Sequence, residues 1–245
     1  MKLIFLLAFS LCLMSQALYA NDKSRFTIGV QQLEYLPYSH IKHNEYRGVM
    51  RIILDKFAQE HGYRFVYEHF PINDLYRNLK TGRIDFKMPD HPNWAKHEKK
   101  GAEFIYSRKG IPAIDGVVTL NKNQHLTAPQ LRSVGKISGF TLESLDRLKH
   151  RKEIKVYEGN SLKQLLGLLS QERINGVYCN AIVARHFGKN LLGTDFLTNR
   201  NLPFVEFEYR ISTIRYKKVV EQFDVFLKRN KAWLDALYKE HDIQW

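Results

Sequence analysis

The chain has 245 residues, of which 44% are hydrophobic, and it carries a formal net charge of +13 at pH 7. This length is sufficient for one large domain or for two lobes that each bury a core. The Lys and Arg residues are spread over the whole chain rather than gathered in one stripe. That distribution argues against a nucleic-acid partner and leaves a solvated basic exterior or a general attraction to anionic solutes or envelope surfaces.

Residues 1–20 are predicted to be an export signal. Lys2 precedes an apolar run over 3–14, which is too short to span a bilayer, and Ala20 supplies a small residue for cleavage. Cleavage after Ala20 would release the protein into the periplasm, and an uncleaved anchor is the alternative. The mature chain then contains a single cysteine, Cys179, so the fold must be held by packing without an intramolecular disulfide.

Strands and helices alternate through the first half of the chain. Apolar residues at helical spacing before Gly62 predict a helix over 49–57, and Asp74 is positioned to cap a second helix that ends at Gly82. Short apolar or alternating runs predict strands at 26–30, 63–67 and 84–86. The order strand, helix, strand, helix, strand implies a mostly parallel sheet covered by helices.

The second half repeats this plan. A leucine-faced helix capped by Asn160 or Ser161 is followed by a strand near 176–178. Residues of the two halves also match at an offset of 90 positions: Leu75 with Leu165, Leu79 with Leu169, Arg83 with Arg173, Ile84 with Ile174, and Asp85 with Asn175. Because both sets lie in a helix-to-strand context, they indicate two similarly built lobes.

The end of the chain is predicted to complete the architecture. Residues 206–212 alternate between apolar and polar side chains as in a half-buried strand, and an amphipathic helix follows. A single strand and helix cannot bury their apolar faces alone, so we expect them to pack against the first lobe. We therefore expect two crossings between the lobes, with lobe I formed by 21–113 plus 204–245 and lobe II by 114–203.

Several short motifs follow one another along the mature chain: Ile28-Gly29-Val30, Leu36-Pro37-Tyr38-Ser39, Tyr46-Arg47-Gly48, Leu79 to Asp85, Tyr106-Ser107, Leu131 to Thr141, Arg173 to Gly176, and Ile243-Gln244-Trp245. In order and spacing they resemble the bacterial extracellular solute-binding proteins of family 3, which include the polar amino acid receptors of ABC importers. The resemblance implies an α/β, two-lobed periplasmic-binding-protein-like fold of type II. Each lobe would be a mostly parallel sheet flanked by helices, and the lobes would face each other across a wet crevice.

The resemblance also implies candidate ligand contacts. In this family an aromatic residue after the first strand stacks on the ligand, and the corresponding residue here is Tyr35 or Tyr38, with an ordinary loop aromatic as the alternative. Gly139 and Thr141 resemble a glycine-plus-hydroxyl turn that opens a helix, where free backbone N–H groups favour an anion such as a carboxylate. A plain N-cap role for Thr141 is the alternative.

Two departures from the family pattern concern charge. The family carries an Arg for the ligand carboxylate, but the interval 86–106 has none, so Lys87, Lys100 or the nearby Arg108 would have to replace it. Asn180 stands where the family places an Asp for the ligand ammonium. Lys lacks the planar bidentate grip of Arg, and a neutral Asn cannot neutralise a buried cation. These departures argue against a standard α-amino acid as the ligand.

The segment from Pro89 to Trp94 is the most distinctive local feature of the sequence. Two prolines stiffen a loop that leaves the carboxyl end of a strand, where open parallel sheets place their ligands. Asp90 and Trp94 are therefore predicted to orient the ligand and to stack on it. A rigid structural loop with a partly buried Trp is the alternative.

Taken together, these patterns predict a monomeric periplasmic receptor that closes around a small polar or zwitterionic solute and serves an ABC permease or a membrane sensor. No cofactor or metal is expected, because no metal-ligand set or phosphate-binding loop has the necessary spacing. The alternatives are a stand-alone sensor module and a dehydratase-like or lyase-like enzyme on the same scaffold. Asp90, Glu34 or Glu158 would then supply the acid or base.

Overall fold

The computed structural model of the protein describes residues 25–148, 151–194 and 196–243. The predicted export signal and its cleavage after Ala20 lie outside these residues and stay a prediction. Within the three described ranges, no helix combines the length and the apolar character that crossing a membrane requires.

The first lobe alternates strands with helices, as the sequence predicted. Its elements in chain order are β1 (Arg25–Gln31), β2 (His40–Lys42), β3 (Glu45–Arg47), α1 (Val49–His61), β4 (Arg64–Phe70), α2 (Ile72–Thr81), β5 (Phe86–Asp90) and β6 (Ile105–Tyr106). Gly62 and Gly82 end the two helices in the left-handed conformation, which glycine adopts without a steric penalty. The prediction that Asp74 caps the second helix is wrong. α2 already begins at Ile72, so Asp74 lies within its first turn, where the carboxylate forms an ion pair with Arg77.

The second lobe contains β8 (Ser133–Ile137), β9 (Lys155–Gly159), α3 (Leu162–Ser170), β10 (Gly176–Asn180), α4 (Ala181–Phe187) and β11 (Phe196–Thr198). Short 3-10 turns and one π-helical turn connect them: Asn121–Asn123, Ala128–Gln130, Leu145–Arg147, Arg151–Glu153 and Gly188–Leu192. The remaining elements are β7 (Ile111–Leu120), β12 (Phe204–Thr213), α5 (Lys217–Arg229) and α6 (Lys231–Glu240). Phe223 of α5 packs on Phe57 of α1 with ring centroids 5.1 Å apart, so the C-terminal helices return to the first lobe.

The two lobes share one sheet order. Hydrogen-bonded neighbours run β4-β1-β5-β12 in the first lobe and β9-β8-β10-β7 in the second. The first three strands of each series are parallel, whereas β12 and β7 are antiparallel to their neighbours. This arrangement confirms the predicted α/β fold with a mostly parallel sheet in each lobe.

Hydrogen bonding continues from one lobe to the other through the long strand β12, so the two sheets are joined rather than separate. The first part of β12 pairs with β7. Arg210 then pairs with Asp90 of β5, and the register shifts before Ser212 pairs with Lys87. β7 and β12 are therefore hinge strands, and they provide the two predicted crossings between lobes.

The predicted match between Asp85 and Asn175 has a structural counterpart. The Asp85 carboxylate accepts a hydrogen bond from the N–H of Thr27 in β1 at 2.8 Å. In the second lobe, the Asn175 side-chain oxygen accepts one from the N–H of Ser133 in β8 at 3.0 Å. In each lobe, the residue at this position therefore ties the turn after a helix to the first strand of the sheet.

The helix predicted to begin at Thr141 is absent. The described part of the chain between β8 and β9 contains no α-helix and only short 3-10 turns. Leu142 is buried in the outer core of the second lobe, and the Ser144 hydroxyl donates to the carbonyl of Pro203 at 2.9 Å. These tertiary contacts hold the segment in tight turns against the lobe.

Candidate ligand site between the lobes

A cavity lies between the two lobes, where β1, β5 and β8 end. Its volume is about 30 Å³, which is enough for one or two ordered waters. The lining residues come from both lobes and from both hinge strands: Gln31, Tyr35, Ile72, Tyr76, Pro89, Trp94, Asp115, Gly139, Phe140, Thr141 and Tyr209. Open α/β sheets place ligands outside the carboxyl ends of their strands, as this cavity is placed.

Four residues predicted from the sequence line this cavity. Tyr35 follows β1, Trp94 follows β5, and Gly139 and Thr141 follow β8. The strand ends of the two lobes thus bring together residues that are distant in the chain. Contact of these residues with a ligand stays a prediction. The other four predicted residues do not line the cavity: Tyr38, Asp90, Arg108 and Asn180.

Asn180 lies behind the cavity and forms hydrogen bonds with two of the tyrosines that line it. Its backbone N–H donates to the hydroxyl of Tyr35 at 2.9 Å, and its side-chain amide donates to the hydroxyl of Tyr209 at 3.1 Å. Its side-chain oxygen caps α4 by accepting from the N–H groups of Ile182 and Val183. Asn180 therefore positions the cavity wall from behind.

Asp90 ends β5 and is fully buried among polar partners. Its carboxylate accepts hydrogen bonds from the hydroxyls of Tyr76 (3.0 Å) and Ser212 (2.7 Å). Lys87 and Lys99 lie 3.4 and 3.3 Å away. Burial opposes ionisation of Asp90, but the two lysines outweigh it, so its pKa is lowered, whereas burial lowers the pKa of Lys87 to about 8. Asp90 is thus an ionised anchor that fixes Tyr76 at the cavity.

Tyr38 and Arg108 lie away from the cavity. Tyr38 is fully buried, its hydroxyl donates to the carbonyl of Pro112 at 2.7 Å, and its ring packs edge-on against Tyr209 at 5.0 Å. Arg108 is exposed, and its backbone N–H donates to the carboxylate of Asp224 on α5 at 2.7 Å. Tyr38 therefore supports the site from the core, and Arg108 lies on the outer surface.

Asp115, on hinge strand β7, lines the cavity and was missed by the sequence-based reasoning. It is 6% exposed, and its Oδ1 atom has no hydrogen-bond partner among the described residues. Burial, reinforced by the negative charge of Glu143, raises the pKa of this carboxyl to about 7. A single acid inside the apolar strand Ile111–Leu120 was the available signal, because burying an unpaired carboxyl is costly.

Five of the eleven described residues that line the cavity are aromatic. Tyr35 and Phe140 meet edge-on with ring centroids 5.7 Å apart, and Trp94 and Tyr209 do so at 5.8 Å. Among the described residues that line the cavity, none is Lys, Arg or His, and Asp115 is the one carboxylate. The cavity therefore combines an aromatic wall with a single buried acid.

The lobes touch each other around the cavity. The side-chain amide of Asn93 donates to Glu143 at 2.6 Å, and the N–H of Ala95 donates to the Thr141 hydroxyl at 3.2 Å. Each of these hydrogen bonds joins the loop after β5 to the segment after β8. The lobes are therefore in contact with each other beside the cavity, which corresponds to a closed arrangement.

The shared sheet order, the two hinge strands and the cavity between the lobes define a two-lobed, type II periplasmic-binding-protein fold. No protein-family model matches the sequence, and no curated protein matches it. Solved structures do resemble it.

One similar structure is an amino acid ABC transporter substrate-binding protein from Streptococcus pneumoniae bound to L-arginine, with a TM-score of 0.71 at 14% identity, covering 90% of this chain and 95% of that one. A solute receptor for L-cysteine from Neisseria gonorrhoeae has a TM-score of 0.68 at 15% identity, with coverage of 90% and 91%. An ancestral amino acid-binding protein, a precursor of cyclohexadienyl dehydratase, has a TM-score of 0.68 at 16% identity, with coverage of 90% and 96%. At these identities the likeness establishes the fold.

Proposed function

We propose that the protein is an exported receptor that encloses one small polar solute between its lobes. The observation that carries this proposal is the cavity between the lobes, which is lined from both lobes and by Asp115, a buried residue whose Oδ1 atom has no hydrogen-bond partner among the described residues. Such an atom costs free energy when it has no partner, and a bound guest would satisfy it. The amino acid substrate-binding proteins of the same fold support this function.

Delivery to a membrane partner is part of the proposal. Closure of the hinge around a guest changes the relative position of the lobes, which a permease or a membrane sensor can recognise. Several proteins of this fold are substrate-binding proteins of ABC transporters, and this favours a permease. We propose a periplasmic location after removal of residues 1–20, and a monomer that binds one guest per chain.

Thermal unfolding of the purified protein tests the receptor function. A cognate solute should raise the free energy of unfolding by about 2.7 kcal/mol at a hundredfold excess over its Kd. The panel should contain amino acids, amines, peptides and organic acids at millimolar concentration. Mass spectrometry of the freshly purified protein would identify any solute that co-purifies. If no panel member shifts the transition and nothing co-purifies, the proposal is contradicted.

Closure can be blocked at Gly139. Its backbone has φ 84°, and a Cβ there would lie 2.7 Å from the Oδ1 atom of Asn73 across the cleft. Gly139→Val should therefore leave each lobe folded but lower solute affinity at least about tenfold, because the closed state is disfavoured. Gly101→Val is the matched control, since Gly101 has φ 82° and no atom within 4 Å of its Cβ position. Equal affinities of the two variants would show that closure does not depend on this contact.

A second candidate function is catalysis at the same cavity. The pKa of Asp115 is about 7, which suits a general acid or base, and one protein of this fold is a precursor of a dehydratase. The acids predicted from the sequence do not line the cavity: Asp90 is held by two lysines, and Glu34 and Glu158 are exposed. Turnover of a panel solute that is lost in Asp115→Asn, while the solute still binds, would favour the enzyme.

A further inference from the structure

We infer that the guest is a small organic monocation with an ammonium head group and without a carboxylate. This inference rests on the proposed receptor function and assigns a chemical class to the same cavity. Three features of the described lining residues point to it: one unpartnered carboxylate oxygen, a wall of aromatic rings, and no Lys, Arg or His.

Asp115 supplies the charge that would hold such a guest. It lies opposite Asn180 in the pairing of β7 with β10, so the hinge fixes its position. An ammonium group would donate a charge-assisted hydrogen bond to the free Oδ1 atom and neutralise the buried carboxylate. A carboxylate guest would instead place a second negative charge beside Asp115, and no described lining residue carries a cation to balance it.

Aromatic rings around the cavity favour a cation for a second reason. The faces of Trp, Tyr and Phe attract ammonium and methylated ammonium groups, because their π electrons carry a partial negative charge. The ring of Tyr76 already has the Nζ atom of Lys87 at 4.6 Å from its centroid, whereas Lys87 approaches the Trp94 ring only to 6.0 Å. The rings that remain for a guest are Tyr35, Trp94, Phe140 and Tyr209.

The titratable groups that interact with Asp115 are neutral or negative. They are Glu143, Cys179 and four tyrosines: Tyr35, Tyr38, Tyr178 and Tyr209. Lys87 and Lys99 contact Asp90 instead and do not line the cavity. Once Asp115 ionises, the region around its carboxylate is therefore negative and attracts a cation.

The volume of the cavity restricts the guest to a small molecule. In the closed arrangement the cavity measures about 30 Å³, so it accommodates a group of one or two heavy atoms, and a larger guest requires the lobes to close less tightly. Suitable probes are methylammonium, ethanolammonium and tetramethylammonium. Acetate, glycine and ethanol provide the anionic, zwitterionic and neutral comparisons of similar size.

Isothermal titration calorimetry of the purified protein with these probes tests the inference. At least one ammonium probe should bind, and acetate, glycine and ethanol should bind at least about tenfold more weakly. Asp115→Asn should reduce the affinity for ammonium by at least about tenfold. Trp94→Leu should reduce the affinity for ammonium by about two- to thirtyfold. Trp94→Phe should retain most of the affinity of the parent protein, because the aromatic face is kept. Should Asp115→Asn not fold, the probe series and the Trp94 pair decide the same question.

Proton release provides a readout that a purely structural role of Asp115 would not change. Because the pKa of the free carboxyl is about 7, it is mostly protonated at pH 6 and must lose its proton to pair with a cation. Ammonium affinity should therefore rise from pH 6 to pH 8, by up to about tenfold per unit below the pKa. At pH 6 the binding enthalpy should vary with the ionisation enthalpy of the buffer. Affinity that is independent of pH would overturn the assignment.

Failure of this inference is distinguishable from failure of the receptor function. If amino acids or organic acids bind and stabilise the protein while the ammonium probes do not, the receptor function stands and the ammonium assignment is wrong. If no compound of any class binds and nothing co-purifies, both proposals are wrong.

Discussion

The two lobes have the same strand order but are stabilised by different side chains. In the first lobe aromatic rings dominate, and Phe57 contacts the rings of Tyr63, Phe65, Phe223 and Phe226. In the second lobe α3 buries only leucines: Leu162, Leu165, Leu166 and Leu169. One sheet order is compatible with both cores, because packing requires apolar surface of matching volume rather than particular residue types.

The lobes also contribute different groups to the cavity. The first lobe supplies the rings of Tyr35, Tyr76 and Trp94, and the second supplies the turn from Gly139 to Thr141. The single carboxylate, Asp115, belongs to hinge strand β7. The charged group is therefore placed where the lobes meet, and its exposure to water depends on closure.

Truncation of one core residue in each lobe should have the largest effect. Phe57→Ala removes a fully buried ring and should lower the free energy of unfolding by about 3–5 kcal/mol, and Leu166→Ala should lower it by about 2–5 kcal/mol. Urea denaturation followed by circular dichroism measures both values. A single shared transition would show that the hinge couples the lobes. A loss under about 1 kcal/mol for Phe57→Ala would contradict the role of the ring cluster.

The hinge carboxylate should make stability depend on pH. Because the pKa of Asp115 is raised from 3.8 to about 7, the native state keeps a proton that the unfolded chain releases between these values. Its contribution to stability is therefore present below pH 4 and is lost as the pH rises through 7. Asp115→Asn removes this dependence, so its stability relative to the parent protein should increase by up to about 4 kcal/mol between pH 4 and pH 8.

Thermal denaturation of both proteins at several pH values checks this expectation. A relative stability that stays constant across the range would show that Asp115 titrates in the folded protein as it does in the unfolded chain. Cys179→Ser is a useful comparison, because this buried thiol lies on β10 next to Asn180 and carries no charge in this pH window.

Changes at Asp85 and Asn175, which accept equivalent backbone hydrogen bonds in the two lobes, should have the smallest effects on stability. Asn175→Ala should cost about 1–3 kcal/mol, because the N–H of Ser133 loses its acceptor. Asp85→Asn should cost less than about 1 kcal/mol, since the amide oxygen can still accept from Thr27 and the lost ion pair with Arg215 is partly exposed. Chemical denaturation of both variants tests the equivalence. If Asp85→Asn lowered the free energy of unfolding more than Asn175→Ala, the two hydrogen bonds would not be equivalent.

The strand and helix pattern was predictable because it depends on short stretches of chain. The runs predicted at 26–30 and 49–57 lie within β1 and α1, and Gly62 ends its helix as expected. The helix predicted at Thr141 failed for the opposite reason. Its leucines pack in a core built from other segments, and these contacts outweighed the local capping signal.

Recognition of the site from the sequence was partial for the same physical reason. The geometry of an open parallel sheet was enough to place Trp94 near a cleft, and the family resemblance pointed to Tyr35; both residues line the cavity. Asn180 also ends a strand, yet its polar groups are occupied by Tyr35 and Tyr209. Those two partners come from distant parts of the chain, which a local motif does not record.

Local sequence alone was enough to predict the α/β class and the two-part plan, because apolar periodicity and turn residues act over a few neighbouring positions. The tertiary structure alone decided which acid is free. Asp90 and Asp115 both occupy buried strands, but Asp90 meets two lysines, whereas the Oδ1 atom of Asp115 meets no described partner. The pKa and the availability of a buried carboxyl are set by charges and burial that only folding brings together.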